Sequence, residues 1–183
     1  MSEKMLIRHC SPTLAGLKTG NMFSCFYASK QDMIQSLREF NRRLSQKGLR
    51  VIPIQYRAHR ALIYVYRPAH LARDLSKHAA KEILGACGYS CTTPWRCVSG
   101  LIDRLKESEE FPHEIGLFLG YPPEDVHGFI ENKPNTCKCV GTWKVYGNEA
   151  EARMTFEKYK KCTDVYTGQW ERGKSIEKLT VKG

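Results

Sequence analysis

Residues 49–68, LRVIPIQYRAHRALIYVYRP, constrain the fold more than any other stretch. Two runs rich in β-branched and aromatic residues flank AHR. Such residues suit a pleated, half-buried surface, and two runs with a short polar break predict a β-hairpin over about 49–67. Pro53 has no N–H to give to a ladder, so the first strand is expected to be an edge strand or to bulge there. Pro68 stops the second strand.

Helical periodicity dominates the remainder. Ser29 with Asp32 resembles a capping box, Met33, Leu37, Phe40 and Leu44 recur at helical spacing, and Gly48 suits a left-handed cap. Arg38, Arg42, Arg43 and Lys47 would form a solvated basic face. Ser11 and Pro12 predict another helix start, with Ser as N-cap and Pro at the first helical position. Leu14, Leu17, Phe23 and Phe26 would supply its apolar face. Gly16 and Gly20 weaken that helix by roughly 1 kcal/mol each, which close approach of another backbone or a ligand would explain. A helix over about 69–86, with Leu71, Leu75, Ala79 and Ile83 on one face, is expected to stop at Gly88. Thr93 and Pro94 repeat the cap-plus-proline signal ahead of Val98, Leu101, Ile102 and Leu105.

KESEEFP reads as a charged loop and NKPNTCKC as a polar connector. Between them, HEIGLFLGYPPEDVHGFIENK reads as two short helices, the first ending at Gly120 and the second starting at Pro122–Pro123. VGTWKVYGN predicts a third strand closed by a Gly-Asn turn. Ala152, Phe156, Tyr159, Tyr166 and Trp170 mark a long amphipathic helix ending at Gly173, and SIEKLTV, residues 175–181, fits a short helix or an edge strand. Together these predict one α+β domain over residues 1–183: a small, at least partly antiparallel sheet of three to four strands covered by five to seven helices.

The length, 183 residues, suits one domain with a sizeable core. No apolar run of about 18 residues is present, so no membrane-spanning helix and no membrane partner are expected. MSEKMLIRHCSP has no apolar core of signal-peptide length, and a cytoplasmic location is expected. In that reducing setting the eight cysteines are expected to be free, metal-bound or redox-active thiols. Lys and Arg total 29 against 19 Asp and Glu, a formal charge of +10. That excess favours an acidic partner, a phosphorylated or otherwise anionic ligand, or nucleic acid. The charge is scattered along the chain, as it would be on an ordinary basic surface.

HCSPTLAGLKTGNMF, ALIYVYRP, HEIGLFLGYPPEDVHGFI and the pattern GTWKVYG with the following alanine, phenylalanine and KYKKC run through the chain in that order. They resemble a family of uncharacterised proteins from Gram-positive anaerobes, catalogued as a domain of unknown function. The resemblance covers residues 8 to about 181, and HEIGLFLGYPPEDVHGFI is its most specific part. It implies a single-domain cytoplasmic protein with neighbours that handle electrons or iron, such as a flavodoxin-like electron carrier. No activity and no catalytic residue carry over.

Several residue groups could carry chemistry. Cys10, just before the predicted helix start, would face the positive end of the helix dipole, which lowers a thiol pKa; His9 and Arg8 would add to this. The plain alternative is a small buried residue packing the bend. Ser11, Thr13 and the free N–H groups of the same start could receive an anion, with Lys18 a turn or so away. Cys87, Cys91 and Cys97 lie within eleven residues, and Cys137 and Cys139 form C-x-C. Neither spacing is a zinc knuckle, yet three or four thiols could converge on zinc or an iron–sulfur cluster. His113 and Glu114 could act as a base and its orienting acid, or simply occupy a first helical turn. Trp143 and Val145 should face one side of the third strand, Lys144 and Tyr146 the other. With Tyr56, Tyr64, Tyr66, Arg57 and Arg67 of the hairpin they could form a basic aromatic sheet face able to stack a flavin, a nucleotide or unpaired bases; helices covering that face would make the same aromatics core.

Two functional readings follow. The first is a redox- or metal-linked accessory protein, tied to iron or electron handling, with Cys10, His113 and Glu114 as candidate catalytic residues. The second is a binding module for a phosphorylated ligand, nucleotide or nucleic acid, using Ser11, Thr13, Lys18, Tyr64, Arg67, Trp143, Lys144 and Tyr146. A classical hydrolase is disfavoured because the sequence has no G-x-S-x-G elbow and no paired-carboxylate motif.

Overall fold

The computed structural model describes residues 1–107, 110–132 and 136–183. The charged loop KESEEFP and the connector NKPNTCKC therefore lie partly outside the described residues. The chain forms two compact units, one of Met1–His70 with Lys161–Gly183, the other of Leu71–Lys160. The fold is α+β, as expected, with nine helices among the described residues.

The first unit is organised around the predicted hairpin. β2 (Arg50–Arg57) and β3 (Arg60–Tyr66) pair antiparallel, joined through Ala58 and His59, which both take the positive φ that a two-residue hairpin turn demands. β2 is an edge strand and its register shifts between Pro53 and Gln55, so the proline acts as expected on both counts. The third strand of this sheet was not foreseen. β1 (Gly20–Phe26) pairs antiparallel with β3, giving the order β1-β3-β2. From its phenylalanine spacing, GNMFSCF is predicted to continue a helix. Its alternation, with Phe23 and Cys25 buried and Ser24 and Phe26 exposed, is that of a strand. Phe23, Cys25, Val51, Ala61, Ile63 and Val65 share one sheet face.

α1 (Glu3–Leu14) and α2 (Lys30–Leu44) supply the rest of that core through Leu6, Ile7, Cys10 and Leu14, and through Met33, Leu37, Phe40 and Leu44. α2 starts as predicted: the Ser29 hydroxyl accepts the Asp32 N–H at 3.1 Å. A short 3₁₀ turn then leads to Gly48, at φ 77°. On the other sheet face Tyr64 and Tyr66 stack on each other, with ring centroids 4.5 Å apart.

α1 corrects the predicted start at Ser11. The helix begins eight residues earlier and carries Ser11 and Pro12 in its last turns. Leu6, Ile7, Cys10 and Leu14 give it a continuous apolar face, so burial outweighs the proline signal. Proline at position 12 deprives the Arg8 carbonyl of its partner. Arg8 is exposed, where water can satisfy that oxygen.

The second unit begins with a helix that the sequence reading ran together. Residues 68–86 form α3 (Pro68–Leu75) and α4 (His78–Ala86). The Ser76 hydroxyl donates to the Arg73 carbonyl at 2.7 Å, a local bond that competes with the helical ladder. The phase shifts at this break, so Ala80, Ile83 and Leu84 are buried and Ala79 is not. α5 (Pro94–Glu107) is capped as predicted, with Thr93 Oγ1 accepting the Arg96 N–H. Cys91 and Cys97 are joined by a disulfide, where free, metal-bound or redox-active thiols are expected from the sequence. The loop ahead of α5 brings their Cα atoms to 4.9 Å, within disulfide reach.

α6 (Ile115–Phe118) and α7 (Pro123–Asn132) match the predicted pair of short helices. The strand expected across VGTWKVYGN is instead a separate two-stranded ribbon, β4 (Cys139–Val140) with β5 (Lys144–Val145). Gly141 is where the chain turns back: a Cβ there would lie 2.2 Å from the Phe156 ring. α8 (Glu149–Glu171) is the long amphipathic helix, and α9 (Ile176–Leu179) settles the short helix at 175–181.

Candidate functional site

The residues predicted to cradle an anion do converge, but on one another. Ser11 and Thr13 lie at the C-terminal, negative end of α1, so the polarity expected there is reversed. The cation at that end is Arg67, 1% exposed. Its guanidinium donates to the carbonyls of Thr13 (2.7 Å), Leu14 (2.7 Å), Val181 (2.8 Å) and Lys47 (3.2 Å). Five donors in a fixed fork suit such a role. The Ser11 hydroxyl donates back to the Ile7 carbonyl, and Thr13 Oγ1 donates to Asn21 Oδ1 at 2.7 Å. Lys18 is buried and donates to the Gly20 carbonyl.

Cys10 is fully buried in the same core. Burial pushes its thiol far up, and the neighbouring Lys18 ammonium offsets only part of that. Desolvation in turn lowers Lys18 to about 7, with Cys10 opposing. The result is a neutral thiol. His9 stacks on Phe23 with ring centroids 5.1 Å apart, so it is a core-edge aromatic rather than a partner for the thiol. Tyr64 is likewise fully buried. The hairpin and the ribbon that carries Trp143 and Lys144, expected to share a basic aromatic face, belong to different sheets.

The second unit gathers the remaining candidates. α6, α7 and the ribbon enclose a cavity of about 430 Å³ with an almost entirely apolar lining. Phe111, Tyr121, Val126, Phe129 and Trp143 form its walls, with His113 and Lys144 at its edge. His113 meets the Phe129 ring edge-on at 4.8 Å, and the Lys144 ammonium lies 5.5 Å from the same ring centroid. Neither side chain has a hydrogen bond or ion pair to a described residue. Trp143 stacks against Tyr121 at 4.9 Å and meets Phe156 edge-on at 4.6 Å.

One residue sets this wall, and the sequence reading missed it. Asp125, 3% exposed, accepts the Trp143 indole N–H at 2.6 Å and the backbone N–H groups of Tyr146 and Gly147, both at 2.7 Å. Its position two residues after Pro123 puts it in the first turn of α7, where an acidic residue looks like dipole compensation. The ribbon can approach that turn because Gly128 has no side chain: a Cβ there would lie 2.5 Å from the Tyr146 ring. Tyr146 thus packs on α7 and is not among the residues lining the cavity.

Glu114 belongs to a neighbouring polar cavity of about 660 Å³, which shares Phe111, Pro112 and His113 with the apolar one. Glu114 is 5% exposed and accepts the Tyr89 hydroxyl at 3.0 Å, with an Arg104 nitrogen at 3.5 Å. Arg104 also lies over the Tyr89 ring, 4.8 Å from its centroid. Burial, then the Glu114 charge, raise the Tyr89 hydroxyl far above its ordinary value, so it stays protonated as a donor. Burial and Glu114 also raise the Cys87 thiol, which lines this cavity. His113 and Glu114 are therefore adjacent in sequence but engaged differently, His113 on Phe129 and Glu114 with Tyr89 and Arg104.

Among the described residues no three His, Cys, Asp or Glu side chains gather as metal ligands, and no helix is long and apolar enough to cross a membrane. The chain matches, over residues 6–180, the model of a family described as "Protein of unknown function (DUF3793)". No curated protein and no solved structure matches it.

Proposed function

The chain belongs to the DUF3793 family of proteins of unknown function, and from that premise we propose that it is a binding module for a small, flat aromatic anion held in the apolar cavity of its second unit. One observation carries this reading. His113 and Lys144, from two distant segments, meet on the Phe129 ring, and with Trp143 they line an apolar cavity in which the Lys144 ammonium has no counter-ion among the described residues. The volume falls in the range of small-molecule sites. Aromatic walls favour a planar ring. Asp125, the buried carboxylate in the lining, is taken up by three donors, so the ligand needs no matching donor there. Lys144 then selects a carboxylate, phosphate or sulfonate at the ring's edge.

The test uses two dyes with the same ring system. 1-Anilinonaphthalene-8-sulfonate carries the anion and N-phenyl-1-naphthylamine lacks it. Fluorescence titration is expected to show one saturable site for each. Lys144→Gln should weaken the sulfonate dye about fivefold, the ~1 kcal/mol of a partly exposed ion pair, and leave the neutral dye unchanged. Salt should weaken the sulfonate dye alone. Absence of saturable binding, or equal loss for both dyes, would refute the reading.

A further inference from the structure

We infer that the Cys91–Cys97 disulfide is a thiol–disulfide exchange site whose substrate is a dithiol, with Cys91 as the attacked sulfur and Cys97 as the leaving one. This is independent of the aromatic-anion site. The two cysteines sit in unlike surroundings. Cys91 is exposed on the loop before α5, whereas Cys97 is 2% exposed and lies in the first turn of that helix, downstream of the Thr93 cap. An incoming thiolate must approach along the S–S axis from the accessible side, which is Cys91. The electron pair then goes to a sulfur in the first turn of α5, at the positive end of the helix dipole, which favours a thiolate.

A third observation gives the substrate a place to sit. Both cysteines line a cavity of about 430 Å³ with Leu75, Leu84, Tyr89 and Lys81. Lys81 is exposed there, and its ammonium would favour the thiolate form of an arriving thiol.

The chemistry balances with the dithiol alone. One of its thiols, as thiolate, attacks Cys91 Sγ. The Cys91–Cys97 bond breaks, and Cys97 Sγ takes the electron pair and the proton given up by that thiol. The second thiol, as thiolate, attacks the substrate sulfur of the mixed disulfide, closes the substrate's own disulfide and releases Cys91, which takes the second proton. Two electrons and two protons pass from dithiol to protein.

Dithiothreitol is the probe, with differential alkylation and mass mapping as the readout, and circular dichroism on both redox forms. Reduction of Cys91–Cys97 in the folded protein, with the circular dichroism spectrum retained, is expected. The single variants test direction. Cys97→Ser should form a mixed disulfide with glutathione disulfide at Cys91, at least tenfold faster than Cys91→Ser does at Cys97. Reduction only in urea, or loss of fold on reduction, would assign the bond a purely structural role and overturn the inference. Equal rates for the two variants would overturn the direction of attack.

Discussion

Replacing Asp125 with alanine removes the acceptor that holds the apolar cavity's wall. The carboxylate takes three hydrogen bonds, at 2.6, 2.7 and 2.7 Å. A hydrogen bond to a charged group contributes ~1.5–3 kcal/mol, so simple summation would reach about 4.5–9 kcal/mol. That sum overstates the loss. Tyr146 and Gly147 are half-buried, and water can replace the carboxylate at their N–H groups. Trp143 is 9% exposed, and its indole N–H would be left dry, costing about 1–3 kcal/mol. The two rehydrated amides add about 1 kcal/mol between them. The expected destabilisation is therefore about 3 kcal/mol, roughly a hundredfold in the unfolding equilibrium. Urea unfolding followed by tryptophan fluorescence measures it, in a Trp95→Phe, Trp170→Phe background where Trp143 alone reports on the second unit. Asp125→Asn keeps one acceptor oxygen but turns an amide toward a donor, and should fall between alanine and wild type. The sulfonate dye should lose its site in the alanine variant under conditions where that protein stays folded. An alanine variant within 0.5 kcal/mol of wild type, or an asparagine variant less stable than alanine, would refute the account of the wall.

Two further outcomes are expected in the first unit. Arg67→Met strips a buried guanidinium from four carbonyls; a loss of about 3–5 kcal/mol is expected in urea unfolding. Arg67→Lys should recover less than half of that, since one ammonium cannot span the fork. Lys18 makes stability depend on pH. Its folded pKa, about 7, lies below its ordinary value of 10.5, so between these values the unfolded chain holds a proton that the folded chain has released. The Lys18 contribution to stability should grow with pH from about 7 to 10.5, by an amount on the order of a few kcal/mol, with the raised Cys10 thiol working against it above about 9. Lys18→Met should abolish that slope. An identical slope in both proteins would place the titration elsewhere.

What the sequence made legible follows a physical divide. The hairpin, the Ser29 cap, the Thr93 cap, the Pro122–Pro123 turn and the long C-terminal helix were readable because each rests on side chains close together in the chain. The error at Ser11 arose where local and tertiary preferences conflict. A serine-proline pair favours a helix start, but four buried residues of α1 needed the helix to run through it. β1 was missed because GNMFSCF has too few β-branched residues to announce a strand, and its stability comes from pairing with β3, as far along the chain as Phe23 from Ile63 and further at the strand's start. At the site, His113, Trp143 and Lys144 could be singled out as chemistry-bearing types. That His113 and Lys144 share a ring, Phe129, and line one cavity with Trp143 depends on the ribbon docking on α7, and on a glycine and an aspartate whose roles appear only once the two are in contact. Cys91 and Cys97 were visible as spacing alone. Their pairing required the loop's path.

The first unit is discontinuous, and that bears on how the chain is made. Arg67 lies near the end of its first segment, and one of its four carbonyl partners, Val181, lies near the end of its second. Synthesis runs from the N-terminus, so every residue of the 71–160 unit is polymerised before the Val181 carbonyl reaches Arg67 and the Ile176 and Leu179 side chains reach the core they complete. Until then the three-stranded sheet and α1 await those side chains, and Arg67 holds a charge whose full set of acceptors does not yet exist. The inserted unit lines its cavities with residues from Ala72 to Lys144, all polymerised before that second segment. It is the part of the protein able to acquire its cavities first, while the older end of the chain matures last.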